Sequence, residues 1–171
     1  MLVGQAPGQV ETGPRGRPFS GRAGRTLFRW FERVGMSEVD ARSRIYFAAV
    51  TRCYPGPHAS GRGDRVPTPH ERANCRPWLD SELRIIRPPV LIPVGRLAVD
   101  LFLGPVALAD VVGRAMPVDH AGGTSLAIAL PHPSGASGWL NAPAHRALLD
   151  AALEQLRAAL TPAAGRRGRA A

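Results

Sequence analysis

The 171-residue sequence contains no lysine; all 22 of its basic residues are arginine, and against 13 acidic residues they leave a formal charge of +9. A pI near 11.4 follows, which favours a polyanionic partner such as nucleic acid. A GC-rich genome enriches arginine, alanine, glycine and proline together, so the sign of the charge carries more weight than the number of arginines. Cysteine is nearly absent: Cys53 and Cys75 are the only two, and no Cys-x-x-Cys occurs. That excludes the disulfide framework of a small secreted protein and points to a reducing compartment. No apolar run reaches eighteen residues and no charged-then-apolar leader opens the chain, so a soluble, cytoplasmic protein without a membrane partner is expected. Aromatic residues are sparse at 6%, yet 44% hydrophobic content is ordinary for one globular domain with a sizeable core, which excludes disordered and fibrous classes.

Four short apolar runs read as buried strands: residues 1–3, 45–50, 90–94 and 126–130. Between them lie segments with helical spacing. Leu27, Trp30, Phe31 and Val34 recur at i, i+3, i+4 and i+7. Thr68 opens a second helix with Glu71 as its capping-box partner, carries Trp78, Leu79, Leu83 and Ile86 on an inner face, and ends before Pro88. A third follows Gly95 with Leu97, Leu101 and Phe102, and a last one over residues 143–160 shows a stripe of Leu148, Leu149, Leu153 and Leu156. This alternation predicts a mostly parallel sheet covered on both faces. Residues 55–66, rich in Gly, Pro, Ser and His, read as a surface loop of functional length, and residues 161–171 as a disordered basic tail to a domain at 1–160. The first strand begins at the initiator Met and has three residues, a poor nucleus for a sheet. The expectation is a shortened form of a longer protein; a transcript start or N-terminal peptide mapping to Met1 would count against it.

Two loops follow such strands. Gly4-Gln-Ala-Pro-Gly8 brings backbone N–H groups close, and His132-Pro-Ser-Gly135 offers an imidazole and a hydroxyl on a stiff turn. Open α/β sheets keep ligand sites at such strand ends, so the two loops predict one site for an anionic ligand.

The first loop, with Gly16-Arg-Pro-Phe-Ser-Gly-Arg-Ala-Gly24 after it, resembles the first motif of the uracil-DNA glycosylase superfamily. It is most similar to the iron-sulfur branch, with its Gly-Glu-Ala-Pro-Gly and Gly-Arg-Pro-Phe-x-Gly-x-Ala-Gly patterns. The likeness continues in order through Tyr46 to Cys53-Tyr-Pro, Cys75-Arg-Pro-Trp-Leu, Pro93-Val-Gly-Arg-Leu-Ala98 and His132-Pro-Ser-Gly135, covering nearly the whole chain. It implies an α/β fold of three layers, α/β/α, around a four-stranded parallel sheet. It also implies an enzyme that flips a base out of single- or double-stranded DNA and cuts its N-glycosidic bond, working as a monomer.

The resemblance assigns roles by position. His132 would donate to the base oxygen where charge accumulates, Phe19 would stack on the extruded base, and the backbone of Gly4, Gln5, Ala6, Pro7 and Gly8 would face it. Ser134 and Gly95 would hold DNA phosphates near helix N-termini, Pro67 and Pro69 would stiffen a loop against the DNA backbone, and Gly135 and Ala136 would stand where relatives insert a wedge. Cys53 and Cys75 match the last two of four cluster-ligating cysteines; either a full-length form completes this incomplete 4Fe-4S site, or the two are buried thiols.

Two departures bear on activity. Gln5 stands where the branch has its Glu, which leaves Glu11 as the only acid in the motif and the candidate for orienting water or balancing the sugar cation. Ala49 stands at the position of the uracil-reading Asn, and a methyl cannot pair with a base edge, so selectivity for uracil is expected to weaken. A lesion-binding protein without chemistry is therefore the alternative. A serine hydrolase built on Ser134 and His132 is disfavoured because no Gly-x-Ser-x-Gly elbow exists.

Overall fold

The computed structural model describes residues 1–13, 16–61, 63–134 and 138–160. Its strands are β1 (Leu2–Gly4), β2 (Phe47–Ala49), β3 (Val90–Pro93), β4 (Ala115–His120) and β5 (Gly123–Ile128). They form one sheet in the order β2-β1-β3-β5-β4, parallel except for the antiparallel β4–β5 pair. The helices are α1 (Arg22–Arg33), α2 (Glu38–Arg44), α3 (Pro69–Ile86), α4 (Arg96–Leu103), α5 (Leu108–Val111) and α6 (Pro143–Leu160).

Alternation along the strands builds two cores. Leu2, Ile92 and Ile128 point to one face and pack with Leu27, Trp30 and Phe31 of α1, Ala41 of α2, and Leu149, Leu153 and Leu156 of α6. Val3, Leu91 and Ala127 point to the other and meet Leu79 and Leu83 of α3 and Leu97 and Ala98 of α4. This is the predicted three-layer α/β/α sandwich. The Met1 amino group donates to the Val90 carbonyl at 2.8 Å, and burial lowers its pKa from 8.0 to about 6.

Three local features differ from expectation. The sheet has five strands, not four, because β4 lies at an edge, where one ladder suffices and Pro117 costs no central hydrogen bond. Only Val118 of β4 is buried, so the segment carries no apolar run to betray it. Second, α2 was not expected; its Ser37–Asp40 capping box starts a helix that buries just one residue, Ala41. Third, Trp78 is 67% exposed instead of lying inside α3. Leu79 and Leu83, four residues apart, face the sheet, and Trp78 falls a quarter-turn away. The expected start of α3 holds in detail: Thr68 Oγ1 accepts from the Glu71 amide at 3.2 Å, and Glu71 Oε2 accepts from the Thr68 amide at 2.7 Å. The tail at 161–171 lies outside the described residues.

Urea denaturation separates these positions. Leu83→Ala, at a fully buried site, is expected to cost about 2–5 kcal/mol, and Trp78→Ala under about 1 kcal/mol. A larger loss at Trp78 than at Leu83 would contradict this packing.

Candidate active site

Chain direction around the sheet sets the position of the site. From β1 the chain passes to β2 on one side, and later enters β3 on the other, so the switch point lies between β1 and β3. At their carboxyl ends stand the two glycines Gly4 and Gly95. Each is pressed by a ring. A Cβ on Gly4 would sit 3.1 Å from Cζ of Phe19, and one on Gly95, whose φ is +82°, would sit 3.0 Å from Cδ2 of His132.

Phe19 reaches this place through a strained turn. Its φ of 57° is in the left-handed region, uncommon for a residue with a side chain. Several neighbours hold it there. A Cβ on Gly24 would lie 1.6 Å from the Phe19 carbonyl oxygen, so no other residue fits at Gly24 without the turn moving. The Arg42 guanidinium donates to the Pro18 carbonyl at 2.9 Å while lying over the Phe28 ring. The Phe19 ring then tilts against Phe47 of β2, with centroids 6.0 Å apart.

Glu11 ties the two halves of the first motif together. Its Oε2 accepts from the Gly8 amide at 3.0 Å and its Oε1 from the Ser20 amide at 3.1 Å. Both oxygens are thus engaged in holding backbone. The Gly8 amide, read from the sequence as facing a base, is turned to this carboxylate instead, a correction that follows from the capping geometry of residues 9–12. Gln5 also faces protein: its carbonyl accepts from Thr51 N at 3.1 Å, and its Nε2 donates to the Arg65 carbonyl at 3.3 Å. Ala6 and Pro7 are half-buried beside it. Ala49 is the parallel partner of Gly4, so its methyl shares that face of the sheet.

His132 is held in one tautomer. The Ser134 amide donates to Nδ1 at 3.2 Å, and the Ser134 hydroxyl lies 2.8 Å from the same nitrogen. An amide can only donate, so Nδ1 accepts and the neutral ring carries its proton on Nε2. Burial lowers the His132 pKa, opposed by the charge of Asp64, and the ring is neutral at pH 7. The same His-x-Ser turn recurs at His58 and Ser60, exposed on the 55–66 loop. The turn is therefore local chemistry, and burial distinguishes His132. Ser134 is consequently an orienting group for the imidazole; its amide, read from the sequence as a phosphate donor, is already engaged. Gly135 and Ala136 lie outside the described residues.

The 55–66 loop folds back on itself and onto the site. His58 N donates to Gly63 O at 2.9 Å, and Arg65 N to Gly56 O at 3.0 Å. Arg65 forms a two-pronged pair with Glu71 (2.8 and 2.5 Å), which with the Thr68 amide holds the Glu71 carboxyl down to about 2. Pro67 is buried and Pro69 forms the first turn of α3, so both serve the fold at this point. Residue Asp64 arrives beside the first loop: a Cβ on Gly8 would stand 3.5 Å from its Oδ2. Nothing in the sequence pattern singles out Asp64.

Beyond the imidazole lies a groove of about 320 Å³, bounded by Arg22, Arg25 and Arg29 of α1 and by Ser134, Gly138 and Asn141. Among the described residues no acid pairs with these three arginines, which share one face of α1. Sequence reading missed them because arginine is everywhere in this chain.

Cys75 Sγ accepts from the Arg52 amide at 3.4 Å, which brings it beside the exposed Cys53. The two thiols sit on one side of the molecule, but no group of three or more His, Cys, Asp or Glu with metal-holding geometry occurs among the described residues. Half of a four-thiolate set does not fit a 4Fe-4S cluster, and no chemical step is routed through one.

A doubly wound α/β/α sandwich with its crevice at a strand switch point defines the class. Comparison of the sequence narrows it: residues 1–157 match the Uracil DNA glycosylase superfamily, and the chain belongs to that superfamily. Over 134 residues it is 33% identical to the type-4 uracil-DNA glycosylase of Thermotoga maritima, covering 78% of this chain and 64% of that protein. The type-4 enzyme of Archaeoglobus fulgidus is 32% identical over 139 residues, with the same two shares. A shorter match, 33% over 96 residues, joins it to the type-5 uracil-DNA glycosylase of Mycobacterium tuberculosis, covering 50% of this chain and 33% of that one. The chain thus spans about 64% of the length of the type-4 relatives. No helix among the described residues is long and apolar enough to cross a membrane.

NMR titration tests the imidazole. The His132 midpoint is expected below 6.5, with Nδ1 unprotonated in the neutral form. As pH falls through 6.5 the unfolded chain takes up this proton before the folded one, so the His132 contribution to stability, complete above 6.5, is lost as pH drops towards the folded value. A midpoint above 6.5 would reverse that sign.

Proposed function

We propose that this chain is a DNA base-excision glycosylase that turns uracil or a related deaminated base out of the strand and hydrolyses its N-glycosidic bond. One juxtaposition carries the reading: the Phe19 ring lies against Gly4 and the His132 ring against Gly95, at the carboxyl ends of the adjacent strands β1 and β3. An aromatic wall and a hydrogen-bond donor at neighbouring strand ends suit a planar base. Cleavage of the glycosidic bond leaves a base anion and a sugar cation, and the charge on the base collects on its carbonyl oxygen. A neutral imidazole donating through Nε2 stabilises that oxygen without having to give up its proton.

DNA as the partner is supported by the +9 charge and by the Arg22, Arg25 and Arg29 groove next to Ser134, which would follow the phosphates flanking the turned-out nucleotide. Ala49 beside Gly4 offers no amide to a base edge, which supports a broader base preference than uracil alone.

The test is incubation with single- and double-stranded DNA holding uracil, hypoxanthine or xanthine, scored for abasic product. Cleavage is expected, and His132→Ala should slow the chemical step by about 10²–10³-fold. Tight binding to these substrates with no abasic product would overturn the reading in favour of a lesion-binding protein. In parallel, replacing Arg22, Arg25 and Arg29 by Gln should flatten log K against log salt by about 0.7–0.9 per lost phosphate contact. An unchanged slope would remove the groove from the DNA path.

A further inference from the structure

The motif position that carries an acid in the resembling branch is Gln5 here, and Glu11 has both oxygens on backbone amides. Beside the first loop stands an exposed carboxylate with no ion pair among the described residues. Asp64 has none of the ion pairs that occupy Glu71, Glu82 or Asp80. It lies against the bare face of Gly8, where a Cβ would come within 3.5 Å of its Oδ2. Its charge reaches His132 across the crevice and acts against the burial of that ring. On its other side it faces the Tyr54 hydroxyl, whose pKa is raised first by desolvation and then by Asp64.

Its backbone is fixed as well. Asp64 bridges Pro57 in antiparallel fashion, its neighbour Gly63 accepts from His58, and its other neighbour Arg65 is held through its carbonyl by Gln5 and through its guanidinium by Glu71. An amide in place of an acid at Gln5 is what this requires. Gln5 Nε2 can donate to the Arg65 carbonyl, and a Glu carboxylate could not.

We propose that Asp64 supplies the carboxylate of this site, with Gln5 as the residue that positions its loop. This rests on the glycosylase reading and says which group does the acid's work. The bond between C1′ and the base nitrogen breaks with its electron pair going to the base, whose oxygen is held by His132 Nε2–H. The Asp64 carboxylate faces the resulting sugar cation. A water oxygen then bonds to C1′ and gives one proton to Asp64, which returns it to the departed base anion, leaving a neutral base and a 1′-hydroxyl sugar. The ionisable groups around Asp64 are Tyr54, His132 and Glu11.

Single-turnover cleavage of uracil-containing DNA, measured for the intact chain, Asp64→Asn, Asp64→Glu and Glu11→Gln, tests the assignment alongside NMR titration of His132. Asp64→Asn should slow cleavage by about 10²–10³-fold with DNA affinity kept, Asp64→Glu should restore part of the rate, and Glu11→Gln should slow it far less. The His132 midpoint should fall further in Asp64→Asn, a readout independent of activity. Cleavage by Asp64→Asn at the unaltered rate, or an unmoved His132 midpoint in that variant, would overturn the role of Asp64 and leave the glycosylase reading standing. Absence of abasic product from the unaltered chain would overturn both, so the two failures are distinguishable.

Discussion

The structure depends on one short strand paired on both sides. Met1, Leu2, Val3 and Gly4 exchange hydrogen bonds with the β2 segment through Tyr46 and Val50 and with the β3 segment through Ile92 and Val94, at 2.8–2.9 Å. A central parallel strand has no free edge, so its neighbours and the crossovers between them are constrained together. From β1 to β2 the chain moves one way across the sheet and from β2 to β3 the other. Crossovers of one hand then put α1 and α2 on one face and α3 on the opposite face, as the two cores record. The crevice at the end of β1 is a by-product of that reversal.

Around the crevice, polar side chains spend most of their capacity on backbone. Glu11 holds Gly8 and Ser20, Arg42 holds Pro18, Gln5 holds Arg65, and Ser134 holds the imidazole. Such bonds keep loop ends at fixed positions against conformational entropy, and each would be costly to leave unmade in a half-buried setting. Among the described residues, Asp64 and the α1 arginines Arg22, Arg25 and Arg29 are charged groups of opposite sign that have no ion pair.

Glycines at this site act by absence of a side chain. Gly24 admits the Phe19 carbonyl, Gly4 the Phe19 ring and Gly95 the His132 ring. The spacing Gly16-Arg-Pro-Phe-Ser-Gly-Arg-Ala-Gly24 is thus a steric specification for one left-handed phenylalanine, and its meaning is invisible until the turn is folded.

Periodicity and capping were legible in the sequence: the four apolar strands, the α1 stripe, the Thr68–Glu71 box and the bounds of α6 all depend on neighbours a few residues apart. So did the expectation that Gly4 and His132 converge, because strand ends in an alternating α/β order share one edge. What failed were features decided by distant partners. β4 is a strand only because β5 lies beside it, and Trp78 faces water because Leu79 and Leu83 claim the sheet. Glu11 and Ser134 hydrogen-bond to backbone amides and to the His132 ring, partners that the sequence did not reveal, since a sequence records a side chain's chemistry and not what lies 3 Å away. Composition and pattern alone determined the class of fold, the sign of the charge and the imidazole at the strand end. Only the tertiary structure brought Asp64 beside Gly8 of the first loop. Asp64 comes from a loop whose path is set by hydrogen bonds to Gln5 and Glu71, sixty residues and six residues from their partner in the chain.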